Sequence, residues 1–122
     1  MTRKLVLDSR EPPRVQSELA EVFEISVRAL DSGDVLYWTT NGQLMGIERK
    51  TPTDLWSSMT RGTGSAQRIV DQLTRLREAV DIPVLLTDGV MTQWDLNYAR
   101  IDNALLTLQK AGVIIAHTWG LP

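Results

Sequence analysis

The stretch Gly46 to Leu55, GIERKTPTDL, places Glu48, Arg49, Lys50 and Asp54 directly after an apolar, strand-like approach. Residues two apart in a strand point to the same face, so Glu48 and Lys50 look the same way. Upstream, Asp34 follows a glycine and precedes VLYWTT, and the Asn41-Gly42 pair between VLYWTT and QLMGIERK signals a β-hairpin. Asp34 then opens one strand, Glu48 and Lys50 close its neighbour, and the three side chains can meet. Two carboxylates without a histidine or cysteine partner make a hard, all-oxygen site suited to magnesium or manganese. A lysine beside such a metal orients or activates water, or offsets charge building on a phosphate. The arrangement suits hydrolysis of a phosphodiester, where metal and lysine stabilise negative charge in the transition state.

These residues need elements to hold them. KLVLDSRE reads as a short buried strand that delivers Asp8, Arg10 and Glu11 at its C-terminal end. Pro12 and Pro13 favour entry into a helix, with Val15, Leu19 and Val22 on its buried stripe. FEISVRAL alternates like a half-buried strand, and DSGD is turn chemistry. After the hairpin, Thr51 or Thr53 can cap a helix over PTDLWSSM, and RGTGS reads as a mobile loop able to close over a substrate. A helix over 66–80 would bury Ile69, Leu73, Leu76 and Val80, with Arg68, Gln72 and Arg75 on another stripe. IPVLLTDG is a continuous apolar strand of the buried parallel type. ARIDNALLTLQKAG is a helix with Ile101, Ala104, Leu105 and Leu108 inward and Gly112 as its stop, and VIIAHTW is the last strand. The order βαβββααβαβ is that of a single α/β domain spanning residues 1–122.

Composition narrows the function. The chain has no cysteine and one histidine, which excludes disulfides, thiolate zinc sites and cysteine nucleophiles. No apolar run is long enough to span a bilayer and no secretory signal is seen, so an intracellular location and no membrane partner are expected. The net charge of −2 argues against a uniformly basic surface, yet Arg49 to Arg77 holds six bases against two acids, a local +4. That local basic face suits a phosphate-bearing partner, with Arg49, Arg61, Arg68 and Arg75 as its contacts.

Gly33-Asp34, then Glu48-Arg49-Lys50, then Asp54 is similar to the G-D-x(n)-E-R-K-x3-D signature of the XPF family of structure-selective DNA endonucleases. DSRE at Asp8 to Glu11 resembles the family's first acidic motif, RIVDQL its arginine and glutamine four apart, and NALLTLQKAGVIIAHT its closing helix and strand. IPVLLTDG is similar to its proline-led strand, although such strands often end in glutamate where this chain has Asp88. The resemblance implies a restriction-endonuclease-like core, a central mixed sheet flanked by helices. It implies a Mg2+ or Mn2+ cofactor and nicking of branched, flap or fork DNA, in the cytoplasm of a prokaryote or virus or the nucleus of a eukaryote. It carries over Asp8, Asp34 and Glu48 as metal-binding or water-positioning acids, with the Arg49 carbonyl completing the metal shell, and Lys50 as catalytic base or electrostatic partner. Arg10, Glu11, Arg49, Asp54, Arg68 and Gln72 come over as supporting or DNA-binding residues. The family's tandem helix-hairpin-helix module has no counterpart in these 122 residues. Pairing through the nuclease domain is also implied, as a homodimer or with a related subunit, and Leu106 lies off the buried stripe of its helix.

Two other functions fit parts of the sequence. One is a catalytically silent nuclease-like subunit that binds DNA or dimerises with an active partner; the other is a nuclease that cuts linear duplex. A decayed site would lose one of Asp8, Asp34, Glu48 or Lys50, and all four are present. His117, inside an apolar strand, reads as a hydrogen-bonded structural residue, and Trp38, Trp56, Trp94 and Trp119 as core or interface anchors.

Overall fold

The computed structural model describes residues 3–51, 54, 62–89 and 105–118, with the side chains of 62–68 and 70 outside that set. Six strands form one sheet: β1 (Lys4–Asp8), β2 (Glu24–Arg28), β3 (Val35–Trp38), β4 (Leu44–Lys50), β5 (Ile82–Asp88) and β6 (Ile114–Thr118). Their spatial order is β2-β1-β3-β4-β5-β6. β1 runs parallel to β2 and antiparallel to β3. β3 and β4 form the antiparallel hairpin, and β4, β5 and β6 are mutually parallel. This is the mixed α/β sheet expected, with helices α1 (Pro13–Ala20) and α2 (Gly62–Ala79) and a helical segment at 105–110.

Local chemistry accounts for the turns. Gly42 sits in the left-handed region at φ 81°, and the loop is closed by Gly42 N–H to Thr39 O at 3.0 Å and Thr39 N–H to Gln43 O at 2.8 Å. Pro12 caps α1 and Pro13 occupies its first turn, where a missing N–H costs nothing. Gly112, at φ 96°, turns the chain from the 105–110 helix into β6.

The core lies between the sheet and α2. Ile69, Leu73 and Leu76 form the buried stripe of α2 and meet Leu85 of β5 and Val113, with Val80, Leu105, Leu108 and Ile115 packed around them. The approach is closest at Gly46 of β4. A Cβ there would lie 2.7 Å from Leu76 Cδ1 and 2.8 Å from Val80 Cγ1. Only a residue without a side chain lets the helix seat so close to the strand that carries Glu48.

Several expectations are corrected. Val22 is 71% exposed, because α1 ends at Ala20 and Val22 falls in the turn beyond it. No residue of α1 is buried, and Val15 and Leu19 are half-buried. β2 is an edge strand with one partner, so it is mostly exposed rather than half-buried. Gly62 to Ser65, read as a loop, open α2 instead; helix propagation outweighs a glycine penalty of about 1 kcal/mol per residue. Trp38 is 52% exposed. Most of the helix expected over PTDLWSSM, together with Arg61, Ile101, Ala104, Trp56, Trp94 and Trp119, lies outside the described residues. No described helix is long and apolar enough to cross a membrane.

Gly46→Ala is expected to destabilise the protein by roughly 1–3 kcal/mol through overpacking. Leu76→Ala removes the atom in the way, so the double variant should lose less than the sum of the two singles. Denaturant midpoints of the four proteins test this, and strict additivity would contradict the contact.

Candidate active site

Four segments converge at the C-terminal ends of the central strands. β1 and its following turn supply Asp8, Arg10 and Glu11; the 31–34 loop supplies Asp34; β4 supplies Glu48, Arg49 and Lys50; and α2 supplies Gln72 and Arg75. Together with Asp31, Ser32 and Gly33 they line one cavity of about 360 Å³. Parallel strands place their C-terminal ends side by side, which explains why acids distant in sequence meet there.

Asp34 joins the two walls. Its carbonyl accepts Asp8 N–H at 2.8 Å and its own N–H donates to Ile47 O at 2.7 Å. Its Oδ2 accepts the Arg49 main-chain N–H at 2.8 Å. Asp8 is almost wholly buried, with Oδ1 accepting Leu30 N–H at 3.0 Å and Oδ2 accepting Arg10 Nε–H at 2.8 Å. Glu48 is 7% exposed. Lys50 Nζ stands 3.9 Å from Glu48 Oε1, with both side chains on the same face of β4 as the strand period requires.

The electrostatics separate these acids. Burial pushes the Asp8 carboxyl up, but the Leu30 N–H and the Arg10 guanidinium outweigh it and hold it below the usual range. Glu48 is pushed up to about 7, first by burial and then by the Asp34 charge, and Lys50 offsets this only in part. Burial also raises Asp34, against the Arg49 N–H and Lys50, and raises Glu11 despite Arg49. Carboxylates crowded enough to retain a proton are short of positive charge, and a divalent cation is the species that relieves this.

The donors are oxygen only, which fits Mg2+ or Mn2+. Among the described residues no three acids form a ready-made ligand cluster. The expected trio of Asp8, Asp34 and Glu48 shares the cavity, but both oxygens of Asp8 are engaged by Arg10 and Leu30. Two carboxylates suffice for Mg2+, which keeps several waters and takes the rest of its shell from substrate phosphate. Asp34 and Glu48, whose proton affinity burial raises, would be the pair best suited to such an ion.

Other expected residues fall differently. Arg49, read as a phosphate contact, gives its guanidinium to Glu11 at 3.0 Å and Asp88 at 3.2 Å, so its charge is already matched. Asp54 is exposed and does not line the cavity; its N–H donates to Thr51 Oγ1 at 3.1 Å, the geometry of a threonine N-cap. Arg68 is in α2, and its side chain lies outside the described residues. Asp31 and Ser32 line the cavity although their sequence context, DSGD, signalled only a turn. His117 Nδ1 is 2.8 Å from the Thr87 hydroxyl, in keeping with a hydrogen-bonded structural histidine.

Glu48 makes stability depend on pH. Its folded value of about 7 lies above the ordinary 4.5, so the folded state holds a proton the unfolded chain has released. That contribution is complete below the unfolded value and is lost as pH rises through the folded one. Metal-free Glu48→Gln should match the wild type at acid pH and exceed it above neutrality by up to roughly 3 kcal/mol. Chemical denaturation across pH measures this, and parallel curves for the two proteins would contradict it.

Comparison with known proteins agrees with the fold. XPF from Aeropyrum pernix superposes with a TM-score of 0.72, 22% identical over 96% of this chain and 57% of that one. XPF from Aeropyrum pernix in complex with DNA gives 0.73 and 21% identity over 97% and 57%. The chain thus spans little more than half the length of these solved chains. No curated protein matches it. The six-stranded mixed sheet flanked by helices is restriction-endonuclease-like, as in those structures. The model of the ERCC4 domain matches residues 7–119, a span that takes in every strand from the end of β1 to β6 and every acid of the cavity. The chain therefore belongs to the ERCC4 domain family, that of the XPF nuclease domain.

Proposed function

We propose that this domain is a Mg2+- or Mn2+-dependent endodeoxyribonuclease that nicks branched, flap or fork DNA. The observation that carries the reading is the pairing of Glu48 and Lys50 on one face of β4, opposite Asp34, in a cavity of excess negative charge. Glu48 and Asp34 would hold the divalent ion, with the Asp34 carboxylate oriented by the Arg49 N–H on its Oδ2. When bound, the ion supplies Lewis-acid stabilisation of a phosphoryl oxygen and lowers the pKa of water. Lys50, beside Glu48, orients the attacking water or offsets charge on the scissile phosphate. Asp8 adds negative charge at the same cavity and anchors the turn that carries Arg10. Gln72 and the exposed Arg75 of α2 contact the DNA backbone at the cavity wall, with Arg68 one turn earlier on the same helix. DNA as substrate is supported by the complex of the Aeropyrum pernix relative. A catalytically silent subunit is the competing reading, and the retention of Asp8, Asp34, Glu48 and Lys50 favours activity.

Pairing of two nuclease domains would cover exposed apolar residues such as Leu106 and Ile114, about half exposed at 49% and 51%. The partner is a second copy or a related subunit. Sedimentation at micromolar concentration should reveal self-association that Leu106→Glu weakens; a monomer at every concentration, with no partner added, would contradict the homodimer.

For catalysis, Asp34→Asn, Glu48→Gln and Lys50→Ala should each lower Mg2+-dependent nicking of a flap or fork duplex by at least about 10²-fold. Folding and DNA affinity should persist, because phosphate contacts lie on other residues, whereas Arg75→Ala should weaken DNA binding and flatten its salt dependence. Wild-type nicking by folded Glu48→Gln would show that this site is not the catalytic one, whereas no nicking by the folded wild type would transfer support to the silent-subunit reading. Linear duplex in the same panel separates branch-selective from general cleavage.

A further inference from the structure

The C-terminal end of β4 is laddered on one side only. Its pairing with β3 stops at Val35 opposite Ile47, whereas pairing with β5 continues through Arg49 opposite Leu86 and Lys50 opposite Thr87. Beyond Ile47 the β3 side is continued by one residue, Asp34, which donates its N–H to Ile47 O at 2.7 Å and accepts Arg49 N–H on Oδ2 at 2.8 Å. A carboxylate thus stands where a ladder carbonyl would be, and the orientation of that carboxylate depends on where the Arg49 amide points.

The Arg49 side chain leaves β4 on the face opposite Glu48 and Lys50. There Nε donates to Glu11 Oε2 at 3.0 Å and Nη1 donates to Asp88 Oδ2 at 3.2 Å. The other oxygen of Asp88 accepts the Thr118 hydroxyl at 2.7 Å, and Asp88 and Thr118 are register partners across β5 and β6. Glu11 follows β1, so four strands are joined through one guanidinium. The planar fork of arginine suits it to hold two carboxylates at once, which a lysine point charge does less well.

We infer that Asp88 and Thr118 are positioning residues of the nuclease site: through Arg49 they fix the rotation of the β4 end, and so the amide that aims the Asp34 carboxylate at the metal position. Nothing here requires Arg49 to touch DNA. The catalytic consequence rests on the nuclease reading above, while the geometric one does not.

Two measurements on the whole chain separate these. In metal-free protein, hydrogen exchange at the Arg49 amide should quicken about tenfold in Asp88→Asn and in the milder Thr118→Val, with core amides of β5 unchanged and Thr118→Ser restoring protection. With Mn2+ followed by electron paramagnetic resonance, Asp88→Asn should raise Kd about tenfold and Thr118→Val by less, as loss of a brace around a metal ligand does. Glu48→Gln should abolish Mn2+ binding yet leave Arg49 exchange as in the wild type. A uniform rise in exchange across the β5 core, or an unmoved Arg49 amide in both variants, overturns the positioning role. Quickened Arg49 exchange in a protein whose wild type binds no Mn2+ upholds the geometry and sinks the nuclease reading instead.

Discussion

One methyl group decides where the acidic strand can lie. Leu76 Cδ1, on α2, occupies the space into which side chains would project from Gly46 and Gly33, 2.7 and 3.1 Å from the positions of their absent Cβ atoms. Gly33 immediately precedes Asp34, and Gly46 lies two residues before Glu48 on the same face of β4. The two glycines therefore do more than turn the chain, although Gly33 also has a φ of 79° that L side chains rarely adopt. They form a notch for the helix, and the helix in that notch brings Gln72 and Arg75 to the cavity wall. Interiors are close-packed and yield little, so a change at this contact reaches the acids directly.

The cavity gathers more buried negative charge than its cations match. Burying an ionised carboxylate is costly unless hydrogen bonds or an opposite charge replace its water. Asp8 has both kinds of replacement, and Glu11 has Arg49. Glu48 has only a lysine 3.9 Å away, which offsets burial and the Asp34 charge in part, so its proton affinity rises. The same fold thus keeps one acid ionised and leaves another wanting a cation.

Arg49 shows how a binding motif divides its labour. Glu48 and Lys50 face the cavity on one side of β4, while Arg49 between them borders the cavity and is neutralised by Glu11 and Asp88. A basic side chain within an acidic motif carries no information about its partner. Its alternate position in the strand turns its side chain away from Glu48 and Lys50, toward Asp88 of β5 and Glu11 of the turn after β1.

Much of what depended on short-range periodicity was legible in the residues alone, although the Val15, Leu19 and Val22 stripe and the half-buried alternation of β2 were not borne out. The shared face of Glu48 and Lys50, the Asn41-Gly42 hairpin, the Ile69, Leu73 and Leu76 stripe, the apolar β5 and the glycine stop at Gly112 all follow from periods of 2 or 3.6 and from turn stereochemistry within a few residues. The meeting of Asp34, Glu48 and Lys50 followed from the hairpin and the strand period, whereas the addition of Asp8, Arg10, Glu11, Arg49 and Gln72 to the same cavity was anticipated through motif resemblance. Tertiary structure alone decided the partners of Arg49, the exposure of Val22, the helical start at Gly62 and the contribution of Asp31 and Ser32 to the cavity. Strand order β2-β1-β3-β4-β5-β6 is the reason: it sets Glu11 and Asp88 beside Arg49 across 38 and 39 residues of chain, and sequence spacing does not encode which distant strand end lies next to which.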